Sequence, residues 1–222
     1  MAGERRGARM RTRALHRWLS TLAALAVAGP ALAHPHVWVT AKAELVYAAD
    51  GKITAVRHRW TFDPGYSAYV TQGLGKDGKP TPEELQDLAK TNAESLAEFG
   101  YFTEMKVNGA KQAFSAPRDY GMVVADGQAT LSLVLPLKTP AAPKLVALEV
   151  FDPSFFVSFD MAPGDDAVRL DNAPAGCAAS VTRPKPVDGA PQQNMSEAFF
   201  QAMTNASAYG AQFSSRIIVA CP

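Results

Sequence analysis

The sequence predicts a mainly β domain of the α+β kind. The form expected is an antiparallel β-sandwich, for which an immunoglobulin-like arrangement is one option, with a helical insertion around residues 64–100. Three observations carry that prediction. Apolar and polar residues alternate from His36 to Tyr47, and a second β-rich run follows from Ile53 to Phe62. Short β-type segments recur behind turn signals from Tyr101 onwards. Between these groups lies one stretch with clear helical punctuation, Thr81-Pro82-Glu83-Glu84.

In chain order, the first 33 residues read as an export signal. Arg5, Arg6, Arg9, Arg11, Arg13 and Arg17 make a basic region, and an apolar stretch runs from Trp18 to Ala28. Gly29-Pro30 breaks it before an Ala31-Leu32-Ala33 cleavage site. Residues 1–33 are therefore expected to be a signal peptide and 34–222 a single periplasmic domain. No later stretch approaches about 18 consecutive apolar residues, so no stable membrane insertion is expected after cleavage. Cleavage also reverses the charge. The whole chain carries +1, but without those six arginines and Glu4 the remaining residues hold 16 Lys/Arg against 20 Asp/Glu, a net of −4. Nucleic acid is excluded as a partner, because binding phosphate needs clustered positive charge.

The first strand puts Val37, Val39, Ala41, Ala43 and Leu45 on one face, with His36, Trp38, Thr40, Lys42 and Glu44 on the other. Asp50-Gly51 is a two-residue hairpin signal. If Ala49 faces Lys52 across it, then Leu45 faces Val56, Ala43 faces His58, Ala41 faces Trp60 and Val39 faces Phe62. On the polar side Glu44 meets Arg57, Thr40 meets Thr61, and Trp38 lies opposite Asp63. A short helix is expected over Tyr66–Gly73. A longer one begins at Thr81 with a capping box and a proline in its first turn; its core face is Leu85, Leu88, Leu96 and Phe99, and Gly100 ends it. Strands are expected at 101–107, turned by Asn108-Gly109, and at 122–124, 129–135, 145–151, 155–159, 168–170 and 178–181. A loop over 182–194, a helix over 196–204 and a last strand over 213–220 complete the chain. Cys177 and Cys221, the two cysteines of an exported chain, are expected to form a disulfide. It would stabilise the fold by roughly 4 kcal/mol in the chain-entropy model.

Cleavage after Ala33 makes His34 the first residue of the mature chain, followed by Pro35-His36. Residues two apart on a strand share a side, so both imidazoles can converge on one ion, with the free α-amine as a third donor. The hairpin register brings Asp63 near, and a carboxylate with two imidazoles makes a zinc half-shell. Pro35 excludes a copper site built on successive backbone amides, since it has no N–H. His58, between Val56 and Trp60 on the apolar side, reads as a satisfied core histidine. Were it near His34, an amine with histidines from two strands would favour copper. Gly73 to Glu84 aligns with a calcium loop, but Gly73 and Gly75 stand where its first two carboxylates belong, so it reads as a connection. Asp152, in Phe151-Asp152-Pro153-Ser154-Phe155-Phe156, and Asp119, beside Arg118, could each complete a metal shell; a strand-end turn is the simpler reading of both. No catalytic or phosphate-binding motif accompanies them.

Several of these segments, taken in order, resemble the periplasmic domain of unknown function 1007 family. They are His34-Pro35-His36-Val37-Trp38-Val39, Arg59-Trp60-Thr61-Phe62-Asp63 with Tyr66-Ser67, Asp77-Gly78-Lys79 with Pro82-Glu83-Glu84-Leu85, and Glu98 to Phe102. Pro117-Arg118-Asp119-Tyr120, Phe151 to Phe156 and Ala173-Pro174-Ala175-Gly176-Cys177 complete the set. The resemblance spans nearly the whole mature chain. It implies a periplasmic component of a transport system, associated with a nickel/cobalt-type permease of the inner membrane and with transition metals, zinc especially. It makes His34 and His36 ligands, with Asp63 and Asp152 as further ones. Family members carry an acidic calcium-like loop where this chain has Gly73 and Gly75.

The function expected is therefore metal binding without a chemical step: zinc, or nickel, cobalt or copper, presented to an inner-membrane permease. An N-terminal strand with few ligands near a chain end could load and release an ion readily. Two alternatives stand beside it. One is a copper-dependent oxidase built on the His34 amine; the other is an adaptor that binds no metal.

Overall fold

The computed structural model describes residues 35–76, 78–184 and 209–222. The expected signal peptide, His34, Asp77, most of the 182–194 loop and the 196–204 helix lie outside them.

Alternation builds the first strand, β1 (Val37–Tyr47): its odd-numbered residues are buried and Leu45 is wholly enclosed. β2 (Ile53–Phe62) pairs with it antiparallel in the expected register, Leu45 with Val56, Ala43 with His58, Ala41 with Trp60 and Val39 with Phe62. The turn differs from the two-residue form. Ala48 donates to Lys52 O at 2.8 Å and Gly51 to Ala48 O at 2.9 Å, giving a three-residue loop with Gly51 at φ 77°. A bulge beside Val46 and Tyr47 absorbs the extra residue.

Helix α1 (Pro64–Val70) starts earlier than expected because the Asp63 side chain caps it. Helix α2 (Pro82–Ser95) has the full capping box, Thr81 Oγ1 accepting from Glu84 N–H and Glu84 accepting from Thr81 N–H. Glu84 also accepts from Gly75 N–H at 3.0 Å, so its carboxylate ties the preceding loop together. Those backbone donors hold it below the usual carboxylate range. After Ser95 the chain tightens into 3-10 geometry from Leu96, and a kink at Gly100 and Tyr101, whose backbone is not helical, interrupts it before β-structure resumes. In the 3-10 turn side chains advance by threes, and the core face is lost. Phe99 is consequently 57% exposed, not part of the core as the periodicity predicts. Leu85, Leu88 and Leu96 do pack against the core, and Ala89 and Ala93 are the buried residues of α2.

The remaining strands are β3 (Thr103–Val107), β4 (Ala110–Lys111), β5 (Arg118–Ala125), β6 (Gln128–Ala141), β7 (Leu145–Val150), β8 (Val157–Met161), β9 (Val168–Asp171), β10 (Ala178–Thr182) and β11 (Arg216–Ala220). Asn108-Gly109 makes the expected two-residue turn between β3 and β4. Among the described residues one sheet runs β5-β6-β2-β1-β8, with β9 also on β1, and the other β10-β11-β7-β3-β4. Both β8 and β9 pair with β1 in parallel, which an all-antiparallel sandwich does not contain. Leu45, Trp60, Leu131 and Leu133 of the first sheet share one apolar cluster with Met105, Leu148 and Ile217 of the second. α2 lies along β5.

The expected disulfide is present. Cys177 and Cys221, 44 residues apart, bracket the Ala178–Ala220 end of the β10–β11 pair. It is consistent with an oxidising compartment outside the cytoplasm. Among the described residues no helix is long and apolar enough to cross a membrane.

Candidate functional site

β1 is anchored at its start by the chain that leads into its parallel neighbour β8. His36 N–H donates to Phe156 O at 2.9 Å and Val37 N–H to the same oxygen at 3.3 Å. The exposed His36 imidazole lies against the Phe156 ring, with centroids 4.8 Å apart. Of the two expected histidine ligands, His36 therefore sits at the mouth of the first sheet; His34 is outside the described residues.

The 152–157 loop owes its shape to Asp152, only 6% exposed. Its Oδ1 accepts the Ser154 N–H at 2.8 Å and its Oδ2 the Val157 N–H at 3.0 Å, while the Ser154 hydroxyl lies within 2.9 Å of both oxygens. Such an Asx turn satisfies backbone donors that the tight Asp-Pro-Ser corner would otherwise strand. Phe155 is held at φ 57°, its ring buried and stacked on Phe213 at 4.3 Å. Asp63 has a similar task. Its Oδ1 caps α1 through Tyr66 N–H at 2.9 Å, and its Oδ2 accepts Trp38 N–H at 3.1 Å. Asp63 N–H returns a bond to Trp38 O at 2.9 Å, the opposition expected from the hairpin register.

His36, Asp63 and Asp152 thus gather around the start of β1, each carboxylate turned to N–H donors. Among the described residues, no three His, Cys, Asp or Glu come together in an arrangement that could hold a metal ion. Asp119, at φ 50°, is exposed beside Arg118 at 3.7 Å.

His58 lies inside the core, 1% exposed, its ring 5.2 Å from that of Trp60. Its Nε2 is 3.1 Å from Thr103 Oγ1, and the Thr103 hydroxyl donates to Tyr101 O at 2.7 Å. A hydroxyl has one proton, so Nε2 carries the hydrogen that Thr103 accepts. Nδ1 is then a bare nitrogen, buried without a partner. Burial pushes the imidazole down to about 3. A second-strand imidazole for a copper site does not come from His58.

Between the 3-10 turn and the 152–157 loop opens a cleft of about 720 Å³, walled by Tyr66, Phe99, Phe102 and Phe156, with Glu98 and Asp152 among its polar residues. A chain of ring contacts runs from it into the core: Phe99 to Phe102 at 5.4 Å, Phe102 to Phe159 at 5.4 Å, and Phe159 to Trp60 at 5.1 Å. Gly100, Tyr101 and Phe102 are consecutively left-handed, at φ 58°, 57° and 48°. Two bulky aromatics in that region cost roughly 1–2 kcal/mol each, strain of a kind that clusters at binding sites. Trp38, Tyr69, Phe99 and Phe156, all of them large exposed aromatics, belong to this same end. Burial raises the Tyr66 phenol above its ordinary range, with the Tyr69 and Asp63 charges adding to it.

The cleft escapes sequence reading because its walls come from α1, the 3-10 turn and a loop fifty residues on. The one local signal is aromatic density around Gly100 and after Pro153, in residues that pattern alone assigns to the core.

Compared with known protein families, residues 19–221 match the model described as a protein of unknown function, DUF1007. No match was found among curated proteins.

Proposed function

This chain belongs to the DUF1007 family, whose description names no activity, and from its own residues we propose that it is a non-catalytic, periplasmic carrier of a divalent transition metal. Zinc is the cargo, and an inner-membrane permease the recipient. The ligands are the imidazoles of His34 and His36 with the His34 amine; Asp63 and Asp152 set the loops around them. The observation that carries this reading is the placement of His36. It is exposed, fixed by its backbone at the head of β1, and one proline away from a second histidine. A ligand whose backbone is hydrogen-bonded where the strand begins needs less ordering when an ion arrives. The disulfide agrees with the compartment, and the resemblance of the sequence supplies the permease.

The test is competitive titration of the mature protein with zinc and copper, secreted so that His34 is its true N-terminus, beside a His34→Ala/His36→Ala variant. Saturable zinc binding that the variant loses supports the reading. Tight copper binding without zinc preference would move the protein to the copper class, and no binding of either would leave an adaptor.

A further inference from the structure

The cleft has a chemistry of its own, beside His36, which packs on the Phe156 ring at its rim. Its volume of about 720 Å³ is that of a small-molecule site. Its apolar surface is aromatic, and Phe99 and Phe156 reach its rim at 57% and 47% exposure. Among the described residues that line it are the exposed Glu98, and Asp152, whose oxygens are taken up by Ser154 and Val157, but no lysine, arginine or histidine. Ring faces and carboxylates both attract positive charge, and neither suits an anion. The strained Tyr101-Phe102 backbone presents the Phe102 ring to this wall, and the ring contacts with Phe159 behind it hold it there.

We propose that the cleft binds a small organic cation, an ammonium compound whose apolar part lies on Phe99, Phe102 and Phe156 and whose charge meets the exposed Glu98. The site does not depend on a metal ion and stands whether or not the histidines bind one.

The experiment is calorimetric titration of the mature protein with benzyltrimethylammonium, choline and spermidine, beside benzyl alcohol and benzenesulfonate as neutral and anionic aromatic probes. At least one cation should saturate the protein, roughly tenfold more tightly than benzyl alcohol, and benzenesulfonate should not bind. Glu98→Gln should weaken the cation roughly fivefold and leave benzyl alcohol unchanged; Phe99→Ala should weaken both. Both side chains are exposed, and unchanged circular dichroism would show that each variant folds. Binding should persist in a His34→Ala variant, which leaves the His36–Phe156 contact intact and separates this site from the metal reading. The proposal is overturned if no cation saturates, if cation and alcohol bind equally, or if Glu98→Gln changes nothing. It is also overturned if sedimentation shows a dimer that Phe99→Ala dissociates, because the aromatic face would then belong to a second copy.

Discussion

His58 makes acid stability the sharpest test of this core. Its neutral form is built in: Nε2 donates to Thr103, and Nδ1 points at no partner. Protonation would place a buried charge and a stranded N–H in the same apolar cluster. The folded protein therefore holds its proton off until about pH 3, whereas the unfolded chain takes it up near the ordinary value of about 6.5. Between those limits the unfolded state binds more protons, so stability falls as pH falls, by up to about 1.4 kcal/mol per unit. Above about 6.5 this residue contributes no pH dependence. From pH 6.5 to 4.5 the loss from His58 alone is about 2 kcal/mol. The perturbation is His58→Leu, which removes the titrating ring from the same apolar site. Urea unfolding followed by tryptophan fluorescence at pH 7.5, 6.5, 5.5 and 4.5, with chelator present, gives both curves. The variant should gain on the wild type by about 2 kcal/mol between about pH 6.5 and pH 4.5. Parallel curves for the two proteins would refute the reasoning, since the folded state would then be accepting the proton without penalty.

Three further outcomes follow from single contacts. Replacing Cys177 and Cys221 by alanine should cost about 4 kcal/mol, read by calorimetry as a melting point lower by roughly 8–16 °C. Thr81→Ala removes the hydroxyl that accepts the Glu84 N–H and should cost about 1 kcal/mol by urea unfolding, while the loop at Gly75 keeps its hydrogen-exchange protection because the Glu84 carboxylate retains both backbone donors. Asp152→Asn weakens the acceptor of the 152–157 loop and should destabilise the protein by about 1–3 kcal/mol in the same assay, while zinc affinity stays within about threefold. A collapse of zinc affinity in that variant would make Asp152 a ligand.

The parts of the fold legible in the sequence are those written within a dozen residues of each other. The β1–β2 register follows from alternation, because slipping one residue would turn Leu45 and Trp60 to solvent. Asn108-Gly109 and the Thr81–Glu84 box are local chemistry, and the disulfide needs only two cysteines and a compartment. The strand expected to end at Leu135 continues to Ala141 through Pro136, which reads as a breaker. It is tolerated where Pro136 faces Ala55, beside a shift in register. The parallel pairing of β8 and β9 with β1 has no local signature, since it depends on where long connections return. The cleft is illegible for the same reason. The site residues stand between these cases: His34-Pro35-His36 is visible in the sequence, whereas the work done by Asp63 and Asp152 appears only once their N–H donors are in place.

That work bears on how an ion would be exchanged. A ligand near a chain end suggests free movement, but His36 is tied to Phe156 O, and the strand it opens is flanked by β2 on one side and by β8 and β9 on the other. The backbone of one half of the histidine pair is therefore tied to the chain that enters β8. In the proposed mature chain, whatever readiness to load and release the pair has must then come from His34 and its amine, on the far side of Pro35. Proline narrows that freedom too, because its φ is locked and it restricts the residue before it. An imidazole on a tied backbone, joined through a stiff link to a terminal one, favours capture of an ion already close by. That suits handover between proteins better than scavenging from dilute solution, since proximity to a partner supplies the local concentration that two or three ligands alone do not.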